Sequence, residues 1–354
     1  MPIKYSAPSC TDHLARYPLA FLPTPLHLLP RVSAAIGGSD LKVELWIKRD
    51  DQTGLAGGGN KTRKLEFLIA DALAQGADTV LTVGAVQSNH CRQTAAAAAR
   101  AGLACHLVLS GAPPAQAKGN PRAPLELTGN LLLDRLLGAK THWTTPENRF
   151  ARLAELADEL RAAGHRAYPI PYGGSDAIGA SGYALALEEL RAQCSETGFE
   201  PDLIVIPSSS GGTQAGLVAG RWALGWDVPI LGISVDPPED ELRGSVAELA
   251  TKTAAHLGRP RTFSPDEILV CADYLGGGYG VVGELERNAI TLLARAEGIL
   301  IDPVYTGRAF GGLVDLLRRG IDRYAAPRGP SLNILFWHTG GAPALFAYAS
   351  ELTS

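Results

Sequence analysis

LIVIPSSSGGTQAGLVAGRWAL (203–224) joins an uninterrupted apolar run to a Ser/Gly loop and then to a stretch of helical spacing. An apolar run without alternation describes a strand buried on both faces. A strand that feeds a helix through a glycine loop is the unit from which parallel sheets are built. The same order recurs along the chain. VELWI (43–47) leads to GLAGGGNKTRK (54–64) and then to a helical face at Leu65, Leu68, Ile69, Ala72 and Leu73, with Gly76 as a C-cap. TVLTV (79–83) passes through GAVQSNHCRQ (84–93) into an Ala-rich helix, and HLVL (106–109) precedes an exposed loop expected over 110–124. An amphipathic helix at 147–164 is followed by AYPI (167–170), and ILGISV (230–235) and NILFW (333–337) are further strands. The pattern predicts an α/β protein with mostly parallel sheets covered by helices. Ligands in such folds bind beyond the carboxyl ends of the strands.

Composition narrows the function. A chain of 354 residues suggests about two domains. Its net charge of −4 and 6% aromatic content argue against a nucleic-acid partner. The five cysteines, Cys10, Cys91, Cys105, Cys194 and Cys271, form no C-x-x-C and point to a reducing compartment. The histidines lack metal-ligand spacing, so no metal is expected. MPIKYSAPSCTDHLARYP (1–18) has no apolar targeting segment, and no apolar run is long enough to span a membrane. A soluble, cytoplasmic protein is expected.

Six loops carry candidate chemistry. In GLAGGGNKTRK, Gly54 and Gly59 have the spacing of a phosphate-binding P-loop, but Asn60 displaces Lys61 from register. Two readings of the lysine remain: a surface charge behind an Asn60 helix cap, or a buried Schiff-base nucleophile whose pKa is lowered by desolvation. On the second reading the glycines let a flat ring lie against backbone. Ser209, Ser210, Gly211, Gly212 and Thr213 either form a flexible connection or a cup for one phosphate at a helix start. Ser88, Asn89 and His90 are either a helix cap or a site for a carboxylate or phenolic oxygen. YLGGGYGVV (274–282) and DPVYTGRAFGG (302–312) can bring Tyr279 and Tyr305 together, or use them as packing residues. WHTGGAPALF (337–346) adds a further strand-to-helix loop.

GGNKTRKLEFL, QSNHCRQTAAAAA, GGTQAGLVAG, LIDPVYTGRAFGGLVD and HTGGAPALFAY resemble, in order, motifs of a pyridoxal-phosphate-dependent family. That family contains D-cysteine desulfhydrase and 1-aminocyclopropane-1-carboxylate deaminase, with L-cysteate sulfo-lyase a close relative. The similarity extends from about residue 23 to the C-terminus. It implies a type II pyridoxal-phosphate fold of the tryptophan synthase β kind, with a large domain (1–61 plus 173–354) and a small inserted one (62–172). It also implies pyridoxal 5'-phosphate as cofactor, a small amino-acid substrate and a homodimer.

By matched motif, Lys61 is implied as the residue bonded covalently to the cofactor, with Asn60 beside it. Asn89 meets the cofactor's ring oxygen, Ser88, Asn89 and His90 the substrate carboxylate, and Ser209 to Thr213 the phosphate. Tyr279 and Tyr305 lie at the reacting side, and Thr306 at the pyridine nitrogen. The deaminase has Glu at that last position. A neutral hydroxyl supports a protonated ring less well, which favours rapid β-elimination over ring opening. The expected activity is therefore D-cysteine desulfhydrase. L-cysteate sulfo-lyase is the alternative, with Arg308 or His90 toward the sulfonate. The deaminase follows, then a catalytically silent cofactor binder.

Overall fold

The computed structural model describes residues 9–36, 42–111 and 127–353; most of the loop expected over 110–124 lies outside them. In chain order come β1 (Leu26–Leu28), α1 (Pro30–Ile36), β2 (Lys42–Arg49), α2 (Lys61–Ala74), β3 (Thr79–Ala85), α3 (Asn89–Ala101) and β4 (Ala104–Ser110). Next are α4 (Gly129–Leu136), β5 (Lys140–Thr144), α5 (Arg149–Ala162), β6 (Ala167–Pro169), α6 (Ala177–Thr197), β7 (Leu203–Ser208) and α7 (Gly212–Leu224). The chain closes with β8 (Ile230–Ser234), α8 (Glu239–His256), β9 (Leu269–Cys271), α9 (Glu284–Glu297), α10 (Thr306–Arg319), β10 (Ser331–His338) and α11 (Ala349–Thr353).

Two sheets form, with strand orders β1-β2-β10-β7-β8-β9 and β5-β4-β3-β6. Every pairing is parallel except β1 with β2. The unalternated strand at 203–206 has the physical cause expected of it. Leu203 and Val205 pack with α9 and α10 through Ile290, Leu293, Phe310 and Leu313. Ile204 and Ile206 pack on the opposite face with Tyr183, Leu187, Leu217 and Val246 of α6, α7 and α8. The smaller sheet is covered in the same way: Val80 and Leu107 face α2 and α3, while Leu81 and Val108 face Leu156 and Leu160 of α5.

Three strands and one long helix escape the periodicity argument. β1 and β9 have three residues each and β5 is a half-buried edge, so none carries a long apolar run. α6 packs against α2, α7 and α8 and has twelve buried residues around its circumference, which removes the one-sided pattern.

A buried ionic network fixes the start of α2. Arg63 reaches Asp50 Oδ1 at 2.8 Å and Glu189 Oε1 at 2.9 Å, and Lys48 shares Glu189. Burial alone would raise the Asp50 carboxyl, but Arg63 outweighs it and holds the group below its usual range. Two cations and two anions balance here, so removing one member would cost about 3–5 kcal/mol by stranding a buried charge. This network connects β2, α2 and α6 immediately behind Lys61.

Candidate active site

The turn before α2 is built from positive-φ backbone, with Gly58 at φ +71° and Gly59 at φ +131°. A Cβ on Gly58 would sit 1.9 Å from the Asp51 carbonyl oxygen, and one on Gly59 2.5 Å from Gln93 Nε2. Neither glycine lines the cavity that Lys61 enters. The expectation that these glycines make room for a flat ring is therefore corrected: they allow the chain to pass against Asp51 and Gln93. Asn60 occupies the cap position without a capping side-chain bond, and its Nδ2 instead donates to Thr213 Oγ1 at 3.0 Å.

The cavity lies at the carboxyl ends of four strands. From the large sheet come the loops after β7 (Ser208 to Gly211, with Thr213) and β10 (Thr339, Gly340). From the small sheet come those after β3 (Ser88, Asn89, His90) and β6 (Tyr172, Gly173). β7 and β10 are neighbours where the order of the large sheet reverses, and β3 and β6 where that of the small one does. Both are the switch points at which open α/β sheets bind ligands.

Three groups of donors face this space. Ser208 Oγ is buried without a partner among the described residues, and the amides of Gly211 and Thr213 stand open at the start of α7. Lys64 Nζ lies just behind, 3.2 Å from Ser175 Oγ, which meets Ser210 Oγ at 2.8 Å. At the start of α3, the amides of Asn89 and His90 likewise have no partner among the described residues. Ser88 Oγ accepts from the Cys91 amide at 3.2 Å, which leaves its own proton free. On the third side, Tyr279 and Tyr305 share a hydrogen bond of 2.7 Å between their hydroxyls.

Lys61 Nζ donates to the Gly173 carbonyl at 3.1 Å, as does Lys64. Burial lowers Lys61 to about 8 despite a hydrogen bond to Lys64 that opposes the shift. Burial and the Lys61 charge hold Lys64 far below its ordinary value. Burial keeps both tyrosines well above theirs, so they are neutral phenols. Among the described residues lining the cavity, Lys61 is the one lysine or arginine and none is an aspartate or glutamate. The space suits an anionic ligand.

Residues 18–327 match the family described as pyridoxal-phosphate dependent enzyme. The chain belongs to that family. It is 44% identical over 343 residues to D-cysteine desulfhydrase of Salmonella typhimurium, covering 95% of this chain and 98% of that one. It is also 40% identical over 344 residues to 1-aminocyclopropane-1-carboxylate deaminase of Methylobacterium nodulans, covering 95% and 97%. The crystal structure of an ACC deaminase homologue superposes with a TM-score of 0.83 at 39% identity, covering 97% of both chains. As a pyridoxal-phosphate enzyme the chain has the type II fold.

The cavity fits that cofactor. Open amides, the orphaned Ser208 hydroxyl and the Lys64 amine can receive a phosphate, while a depressed lysine stands apart from them. Lys61, Asn60, Ser88, Asn89, His90, Ser209, Ser210, Gly211, Thr213, Tyr279 and Tyr305 all line the space. Gly212 lies beneath the cup, where a Cβ would come within 2.7 Å of Lys64 Nζ. Thr306 does not line it: the side chain is buried and its hydroxyl donates to Asp302 Oδ1 at 2.6 Å.

His90 Nε2 meets Thr82 Oγ1 at 2.9 Å, and that hydroxyl donates onward to the Ile170 carbonyl. The ring is thus Nε2-protonated, and its buried Nδ1 is a lone pair; what His90 offers an anion is its backbone amide. Lys64, Tyr172, Ser208 and Thr339 are members that motif reasoning passed over. The signal for Lys64 was its spacing of three from Lys61, which puts both amines on one helix face.

Proposed function

We propose that this enzyme is a D-cysteine desulfhydrase, converting D-cysteine and water to pyruvate, ammonia and sulfide. The observation that carries the reading is the placement of Lys61 and the Tyr279–Tyr305 hydroxyl pair around one cavity that holds separate anion sites. The identity to the Salmonella enzyme supports it. Bound pyridoxal phosphate supplies the conjugated ring that accepts the electron pair of the substrate α-carbon.

On this reading the free amides of Asn89 and His90 and the Ser88 hydroxyl hold the substrate carboxylate. Ser209 to Thr213 and Lys64 hold the phosphate, and Lys61 Nζ makes the covalent attachment. With a pKa near 8, Lys61 has a neutral fraction at physiological pH that can bond to carbon or take a proton. A neutral phenol of Tyr279 or Tyr305 then gives its Oη proton to the departing sulfur. Asp302, which accepts from the Tyr305 amide at 2.9 Å and from Thr306, holds this edge of the site. Thr306 keeps its hydroxyl proton on Asp302 and supports the same edge from behind the cavity. The neutral residue in place of the deaminase's Glu at this position disfavours the cyclopropane substrate.

The sulfonate alternative loses its two candidate partners. Arg308 is buried, does not line the cavity, and commits four of its five N–H groups to Glu286 at 2.7 Å and to the carbonyls of Val235, Gly278 and Val281. The N–H of the neutral His90 ring is committed to Thr82. We also propose the division at 61/62 and 172/173, a cytoplasmic location and a homodimer. The apolar groove edged by Leu132, Pro343 and exposed Phe346 supports the last.

A panel of D-cysteine, L-cysteate, β-chloro-D-alanine and 1-aminocyclopropane-1-carboxylate, assayed for keto acid, tests the proposal. D-cysteine is expected to react with release of sulfide. Turnover of the cyclopropane alone, or of L-cysteate in preference, would overturn it.

A further inference from the structure

The hydrogen bonds behind Asn89 have determinable directions. Arg92 Nη1 lies 2.8 Å from Asn130 Oδ1 and 3.3 Å from Asn89 Oδ1, and Nη2 lies 2.6 Å from the Gly58 carbonyl. A guanidinium has donors only, so all three oxygens must accept. Burial lowers Arg92 to about 10 against the pull of Asp134 and Asp302, which leaves it cationic at neutral pH.

With its oxygen committed to Arg92, Asn130 must donate through Nδ2. It does so to the Gln87 carbonyl and to Asn89 Oδ1, each at 2.8 Å. The Asn130 backbone amide is held in turn by Gln87 Oε1 at 2.8 Å. Asn89 Oδ1 thus receives two donors from behind. Its Nδ2 makes no hydrogen bond among the described residues and is left to the cavity that Asn89 lines.

We propose that Arg92 and Asn130 are positioning residues that force Asn89 to present its NH₂ to the cavity, so that this wall receives an anionic oxygen, the cofactor's phenolic one. The assignment rests on reading the cavity as the pyridoxal phosphate site. Without the two residues behind it, the Asn89 amide could turn its oxygen inward, and two acceptors would then face each other. Arg92 adds a buried positive charge behind the same wall. Through Gly58 it also ties the wall to the turn that carries Lys61.

The test is the visible absorbance of the cofactor-loaded protein followed against pH, in wild type, Arg92→Gln, Arg92→Lys and Asn130→Ala. Loss of the cation and of a fixed donor favours the protonated oxygen. Arg92→Gln should move the midpoint upward by about one unit, the scale of one charge-assisted hydrogen bond. Asn130→Ala should shift it in the same direction by less, and Arg92→Lys should recover part of the change. Variants that bind cofactor at wild-type stoichiometry with an unshifted midpoint would overturn the proposal. If Arg92→Gln fails to fold, Asn130→Ala decides alone, because it keeps the guanidinium and its bond to Gly58. A wild-type protein without a Lys61-dependent visible band would overturn the cofactor site itself, a separate failure.

Discussion

Lys61→Met should stabilise the protein once the cofactor is removed, and the gain should fade as pH rises. Lys61 titrates near 8 in the folded chain and near its ordinary value of 10.5 when unfolded. Between those values the unfolded chain binds more protons, so stability increases with pH. Below them the full penalty of holding the ammonium in the cavity is present. From the two values the penalty is about 3 kcal/mol at pH 7, about 2 at pH 9 and about 1 at pH 10. Removing the amine abolishes it, and relief of Lys64 from the neighbouring charge acts in the same direction. Urea denaturation of wild type and Lys61→Met, freed of cofactor, over this range would measure the difference. A packing change in the variant adds a constant offset, so the decisive quantity is the slope. A stability difference that does not change between pH 7 and 10 would refute the reasoning.

Other perturbations separate scaffold from chemistry. Arg308→Gln should lose about 3–5 kcal/mol in denaturant melts, because it strands buried Glu286. Its activity should fall too, since Gly278 and Val281, which flank Tyr279, lose the donors that hold them. Tyr279→Phe and Tyr305→Phe should retain the cofactor's absorbance while kcat drops about 10²–10⁴-fold, the range for loss of a positioned acid or base; a change confined to KM would contradict the assigned role. Gly58→Ala should lower the thermal midpoint steeply and compromise cofactor retention, because the new Cβ would meet the Asp51 carbonyl at 1.9 Å and the residue has φ +71°. A near-neutral result there would mean that the turn can re-form.

The sequence made the parallel strands legible because burial on both faces leaves a run of apolar residues with no alternation. It failed at α6, whose contacts with three helices erase the amphipathic stripe, and at β1 and β9, which are too short to show one. Eleven site residues named from motifs line one cavity, although they come from loops spread over the whole chain. Motifs did not show direction. His90 was legible as a residue of the α3 start, but its Nε2 proton goes to Thr82, a contact made only once β3 and α3 pack. Arg308 was a candidate for the sulfonate, and folding instead commits four of its five donors within the protein.

Sequence alone determined the class of the fold, the strand-to-helix loops at which the site forms, and the register of Lys61 one place beyond a phosphate loop. These are local properties: side-chain periodicity, turn chemistry and spacing along a few residues. Tertiary structure decided that Gly58 serves the Asp51 carbonyl, that Lys64 stands behind the Ser/Gly loop after β7, and that Asn89 turns its NH₂ inward. Each of these depends on which donor, acceptor or backbone atom arrives from a distant part of the chain. Burial then magnifies the outcome, since a polar group removed from water has only the partner that folding brings to it.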